Sequence, residues 1–105
     1  MSSALGEKVR RHREALGLTL EQLASKIDST KSYVWELENK PVARPSAEKV
    51  FRLAKALEVT AEYLMDDKRT ESTTDERDKI FFRKFESLDD KDKDVLRRFV
   101  DSIGK

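Results

Sequence analysis

The chain has no cysteine among its 105 residues, only three glycines and two prolines, and no apolar run approaching the ~20 residues that a membrane-crossing helix requires. Without thiols it forms neither a disulfide framework nor a cysteine metal site, which fits a reducing compartment, and the cytoplasm is the expected location. The segment from Met1 to Arg13 is polar and charged and lacks the apolar core of a secretory signal, so neither export nor a membrane role is expected. An excess of one charge is lacking too. Lys and Arg number 22 against 21 Asp and Glu, so a nucleic-acid partner must be argued from where the charges lie and not from their sum. The length suits one compact unit with a small appendage and leaves little room for a large enclosed catalytic cavity. No activated nucleophile beside a base, metal-ligand cluster or phosphate-cradling glycine loop is visible, so no enzyme activity, cofactor or metal is expected. His12, the only histidine, has no second ligand near it in the sequence and reads as an exposed residue of the first helix.

What fills the sequence is helical periodicity. Apolar residues recur every three or four positions and β-branched alternation is missing, which predicts an all-α fold. A first helix is expected from Ala4 to Leu16, with Leu5, Val9 and Leu16 on one face and Gly17 ending it in a left-handed conformation. Thr19 opens a second, which carries Leu20, Leu23, Ala24 and Ile27, with Gln22 completing a capping box. Only Asp28 and Ser29 separate Ile27 from Thr30, the cap of a third helix over Lys31 to Asn39, so the chain must turn sharply. That helix turns Val34 and Leu37 inward and leaves Lys31, Ser32, Trp35, Glu36 and Asn39 mostly on its other side. After the breaking loop Lys40-Pro41-Val42-Ala43-Arg44-Pro45, Ser46 caps a fourth helix with a stripe of Val50, Leu53, Ala54 and Leu57, and Thr60 caps a fifth that buries Tyr63 and Leu64.

From Asp66 to Asp75 no large apolar residue occurs. The organisation is therefore a five-helix unit over residues 1–66, a polar linker over 67–75 and a helical extension over 76–105. Helices from about Glu76 to Glu86 and from about Lys91 to Ile103 give the extension Ile80, Phe81, Phe82, Phe85, Leu88, Val95, Leu96, Phe99, Val100 and Ile103. Two short helices cannot bury that many large side chains between themselves.

Five helices with a tight turn between the second and third are similar to the XRE, or lambda-repressor-like, helix-turn-helix family, and particular residues carry the resemblance. Val9-Arg10, Arg13, Gly17-Leu18-Thr19 and Glu21-Gln22-Leu23-Ala24 match its opening. Thr30, Ser32-Tyr33-Val34 and Leu37-Glu38-Asn39 follow the turn, and Arg44-Pro45-Ser46, Leu53-Ala54, Ala56-Leu57, Val59-Thr60 and Tyr63-Leu64 complete the match over residues 4–65. The resemblance implies an all-α, five-helix lambda-repressor-like domain, here with a C-terminal two-helix extension, in a prokaryotic or phage-type transcriptional regulator, with repression the expected sign. Its third helix would enter the ~12 Å major groove of double-stranded DNA. Lys31, Ser32, Trp35 and Glu36 would read bases, Lys31 by donating to guanine O6 and N7 and Glu36 by accepting from cytosine N4. Phosphate anchoring would fall to Thr19, Leu20, Thr30, Tyr33, Asn39, Lys40 and Arg44, where free amides at a helix start suit an anion. Arg13 and Glu38 match a charge pair that ties the first helix to the end of the third and orients the motif. The chain departs from the family at Leu20, where a glutamine often meets phosphate, at Asp28 and Ser29 in the turn, and at Lys40, where a glycine often ends the helix.

Several readings stay open at this level. Trp35 either touches thymine methyls and sugar edges or packs over Pro41, Val42 and Pro45 as a lid, and Tyr33 either bonds a phosphate or completes the core edge. Arg10, Arg11, Lys49, Arg52 and Lys55 read as solvated helix faces more readily than as DNA contacts. The C-terminal apolar cluster has three uses: completing the monomer's core, binding a regulatory partner or ligand, or forming a homodimer interface. The last is expected, because a palindromic operator with half-sites about one helical turn apart favours a two-fold dimer. The competing function is a protein-interaction module on the same fold, such as an antitoxin or adaptor, which Leu20, Trp35 and the near-neutral charge favour.

Overall fold

Each helix begins on a side chain that accepts a first-turn amide, and the run of such residues explains the order of elements. The computed structural model describes residues 2–41, 44–69 and 71–104. Ser3 caps α1 (Ala4–Ala15), Thr19 caps α2 (Leu20–Lys26), Thr30 caps α3 (Lys31–Asn39) and Ser46 caps α4 (Ala47–Leu57). Thr60 caps α5 (Ala61–Met65), Thr73 caps α6 (Thr74–Glu86) and Asp89 caps α7 (Asp90–Ile103). The last two caps bring α6 and α7 in slightly earlier than their apolar periodicity suggests.

Three helix ends share one device, a left-handed residue followed by an amide that reaches back five positions. Gly17 at φ +70°, Asp28 at φ 54° and Glu58 at φ 60° supply the conformation. The closing bonds run from Leu18 N to Arg13 O (3.0 Å), Ser29 N to Ala24 O (2.8 Å) and Val59 N to Ala54 O (3.0 Å). Gly17 has a consequence for Leu16. Expected on the buried face of the first helix, Leu16 is instead the residue just past its end and is 40% exposed, because the chain leaves the helix before its side chain can turn inward.

The core lies among α1 to α5 and contains Leu5, Val9, Leu23, Ala24, Ile27, Val34, Leu37, Leu53, Ala54, Leu57, Val59, Tyr63 and Leu64. Its tightest seam is α1 against α3. A Cβ placed on Gly6 would meet the Leu37 carbonyl oxygen at 2.5 Å and that of Glu38 at 3.0 Å, so only glycine lets the two backbones approach this closely. Tyr63, fully buried, joins α1 to α5. Its hydroxyl is 2.7 Å from an Arg11 guanidinium nitrogen and 2.8 Å from His12 Nε2. The His12 ring stands edge-on to Tyr63 with centroids 5.3 Å apart. His12 is thus half-buried and engaged, not the exposed residue its isolation in the sequence suggested, because its side of α1 faces α5. Burial, with the charges of Arg11 and Lys8, pulls its imidazole below the ordinary range. Lys8 is buried too, lying over the Tyr63 ring and donating to the carbonyls of Tyr63 and Asp66, where it closes the end of α5. Burial lowers its pKa, with Asp66 opposing.

The segment after α5 is held by charge. Arg69 donates to Asp66 Oδ2 (3.0 Å) and, through both terminal nitrogens, to Glu76 (2.6 and 2.8 Å). Glu76, only 7% exposed, also accepts from the Thr60 hydroxyl (2.8 Å) and the Thr73 amide (2.8 Å). The Arg69 guanidinium, with the Thr73 and Thr60 bonds outweighing the cost of burial, holds its carboxyl at about 2 against an ordinary 4.5. No described residue of α6 or α7 belongs to the apolar core.

Replacing Gly6 with alanine should destabilise the fold by about 1–3 kcal/mol, the usual cost of forcing extra volume into a packed seam, measured by urea unfolding. Glu76 also sets a pH dependence. Its folded pKa is depressed, so its contribution is present above about 4.5 and is lost as pH falls towards about 2. Thermal melts should show the wild-type protein losing stability across that window, and Glu76→Gln losing distinctly less of it.

Candidate nucleic-acid interface

The face of α3 turned away from the core is built by spacing alone. Val34 and Leu37 are buried, which leaves Lys31 with Trp35 and Ser32 with Glu36 as neighbouring i, i+4 pairs on the outside. All four side chains are exposed, Trp35 to 50%. Lys31 makes a 3.5 Å ion pair with Glu21, in which both side chains are mostly in solvent, a contact worth little and easily exchanged. Trp35 keeps half its surface in water, and Val42, one of the loop residues it was expected to cover as a lid, lies outside the described residues.

Around this face the other expected residues have distinct settings. Thr19 and Gln22 form a reciprocal capping box at the start of α2, with bonds of 2.8 and 3.0 Å, and Leu20 beside them packs partly against the core. Thr30 accepts from the Tyr33 amide at 3.1 Å. Tyr33 is half-buried against the core, with the Lys49 ammonium 5.5 Å from its ring centroid, and burial raises its phenol pKa. The Asn39 amide donates back to the Trp35 carbonyl at 2.8 Å, so this nitrogen is already engaged within the helix. Lys40 and Arg44 are exposed at the far end.

Arg13 and Glu38 meet in a bidentate pair, Nε to Oε2 at 2.7 Å and a terminal nitrogen to Oε1 at 3.0 Å, while the other terminal nitrogen donates to the Leu18 carbonyl at 2.8 Å. Glu38 is almost wholly buried. One guanidinium therefore joins the end of α1, the turn into α2 and the last turn of α3. The Glu38 hydrogen bond raises the Arg13 pKa.

Sequence reasoning missed how the turn itself is held. Lys49 Nζ lies 3.4 and 3.3 Å from the carbonyls of Ile27 and Asp28, and Arg52 reaches the Ile27 carbonyl (3.4 Å), Asp28 (3.5 Å) and Glu48 (2.6 Å). These cations face the C-terminal carbonyls of α2 and are not simply a solvated stripe. Arg10 does behave as one, pairing with Glu14 in water. Positive charge on α4 was legible, but its partner lies more than twenty residues away and left no local signal.

In the extension, Phe81, Phe82, Phe85, Leu96 and Val100 surround an open cavity of about 250 Å³ with Arg97 and Asp101. Phe81 and Phe82 meet edge to face, and Phe85 is covered by Lys93 and Arg97. Phe81, Phe82, Val95, Phe99, Val100 and Ile103 are each more than half exposed, Leu88 is 37% exposed and Ile80 is half-buried. The cluster does not complete the core of the five-helix domain.

A helix-turn-helix family model matches residues 9–64, more than half of the chain. Among solved structures, SinR, the master regulator for biofilm formation, in complex with DNA, is 27% identical, with 59% of this chain and 98% of that chain covered and a TM-score of 0.56. The N-terminal DNA-binding domain of SinR from Bacillus subtilis is also 27% identical, covering 63% of this chain and 96% of its own at a TM-score of 0.57. A chain of the SinR protein/SinI protein complex, 22% identical, covers 95% of this chain and 94% of its own at a TM-score of 0.58, so likeness of fold extends into α6 and α7, which face each other as a C-terminal hairpin. A search of curated protein sequences finds no significant match. The chain belongs to the helix-turn-helix family, in its XRE or lambda-repressor-like class of non-enzymatic DNA-binding regulators.

Proposed function

We propose that the protein is a sequence-specific transcriptional repressor that acts in the cytoplasm as a homodimer, with α3 of each copy in the major groove of a palindromic operator. The observation that carries this reading is the outward face of α3. It presents a cation, a hydroxyl, an indole and a carboxylate to solvent on a helix whose other side is locked into the core. A short helix so held fits the groove, where base edges differ in donors and acceptors. Lys31 and Glu36 supply opposite hydrogen-bonding character one turn apart, with Ser32 and Trp35 beside them. Thr19, Leu20, Thr30, Tyr33, Asn39, Lys40 and Arg44 flank that face and take the phosphate contacts that fix register, and Arg13 with Glu38 sets its angle. The DNA complex of SinR supports this placement by likeness over the same domain.

The dimer is argued from the exposed apolar side chains of α6 and α7, which no described core residue covers. A second copy buries them by symmetry. The same surface favours one competing reading, a protein partner seated on the hairpin in place of a second copy.

On a duplex that the wild-type protein selects, Lys31→Ala and Glu36→Ala should each lower affinity by about 1–3 kcal/mol and relax base preference at separate positions. Affinity should also fall steeply with salt, as released counterions require. Equal affinity for unrelated duplexes, unchanged in both variants, would contradict base reading. Phe82→Glu combined with Phe99→Glu should give a monomeric mass by light scattering with the helical content kept; a dimeric mass would place the interface elsewhere.

A further inference from the structure

The hairpin is fastened to the DNA-binding domain at two places, by polar groups at both. At the start of α6, Glu76 takes four hydrogen bonds from Arg69, Thr60 and Thr73, so the helix start, the preceding segment and the cap of α5 meet at one buried carboxylate. Eight residues on, Lys84 pairs with Glu58 at 2.7 Å across the surface, at the left-handed end of α4. At 1.5 Å per residue the two attachments are about 12 Å apart along the helix. Beside α6, Phe51, Ala54, Thr60 and Ala61 form an open cleft of about 480 Å³ with Lys79 and Arg83. Apolar packing therefore does not seat this helix. Glu76 is its only buried residue, and α7 has none among the described residues.

Two points fix the direction of a rod, and here they differ in strength. The Lys84 pair is exposed and screened, whereas the Glu76 bonds are charge-assisted, all shorter than 3 Å and buried or partly buried. We propose that Glu76, clasped by Arg69 and Thr60, is a specificity-determining latch that fixes the pose of the hairpin on the DNA-binding domain and thereby the half-site spacing the dimer accepts. The inference rests on the dimeric reading above. If two copies join through their hairpins, the firmer of the two described paths from one recognition helix to the other runs through the core, α5, this carboxylate and α6. One base pair added between half-sites moves them apart by ~3.4 Å and rotates one by ~35° about the axis. A hairpin that swivels tolerates that change, and a latched one does not.

The test uses the full chain and the near-isosteric Glu76→Gln, with Arg69→Gln as a second variant that leaves the buried position intact. Mass by light scattering comes first, without DNA. Duplexes carrying the selected half-sites at a series of spacings are then compared. The wild-type protein should prefer one spacing, and both variants should lose roughly tenfold or more of the discrimination against neighbouring spacings, in keeping with a charge-assisted contact. Their affinity for a single half-site should stay unchanged. Because the chain has no cysteine, spin labels at Ser25→Cys and Ser102→Cys, diluted with unlabelled protein, report the pose directly. A narrow distance distribution in wild type should broaden in both variants. An unchanged spacing preference, or an unchanged narrow distribution, overturns the latch. A monomeric wild-type mass would instead remove the dimeric reading and is seen separately.

Discussion

The backbone of α1 lies against that of α3 at Gly6, and two turns further along α1 the Arg13 guanidinium grips the buried Glu38 carboxylate. Both contacts fall on the C-terminal end of α3, at Leu37 and Glu38, and the Ser3 amide adds a bond to the Lys40 carbonyl. The helix is thus held from behind and by its far end, while the start, with Lys31 and Ser32, faces out. Breaking half of the Arg13–Glu38 pair leaves a buried charge without its counterion, which costs more than the pair itself contributes. The lysine and arginine of α4 that cap the turn at Ile27 and Asp28 complete the frame from the other side. These contacts fix how α3 sits on the domain, and its outward residues decide what it presents to solvent.

The two parts of the chain are held together by different physics. The five-helix domain has a continuous apolar core, and its charged interior groups, Lys8 and Glu38, are spent on carbonyls and a guanidinium. The hairpin has apolar residues in plenty but keeps them on its surface, and polar groups at Glu76 and Lys84 hold it in place. This division suits a regulator that must fix its reading head firmly, offer an apolar face to another chain, and set an angle between the two. The near-neutral net charge of +1 is consistent with it, since the cations that matter are placed at turns and helix ends and not pooled on one surface.

Capping chemistry was the most legible layer. Thr19, Thr30, Ser46 and Thr60 announced four helices, Gly17 a left-handed end, and the apolar period the buried side of α3. The same chemistry was present at Thr73 and Glu76, a capping box as clear as that of Thr19 and Gln22. It is hidden in the sequence because the segment around it has no large apolar residue and reads as a linker. Lys8, Gly6 and His12 could not be read locally at all. Each depends on a partner far along the chain, the Tyr63 carbonyl and hydroxyl or the α3 backbone, which tertiary packing alone brings near. Leu16 shows the opposite failure, an apolar residue in periodic register that lies one step past a helix end.

Whether this chain reads DNA sequence as a two-fold dimer is open to one direct measurement. Enrichment of duplexes from a randomised pool by this chain, carried out at low salt and again at physiological salt, decides the matter. A two-fold reader gives a single enriched site made of two inverted half-sites whose recovery weakens as salt rises. No enrichment at low salt would contradict it and would turn the α6–α7 surface, not α3, into the working face of the protein.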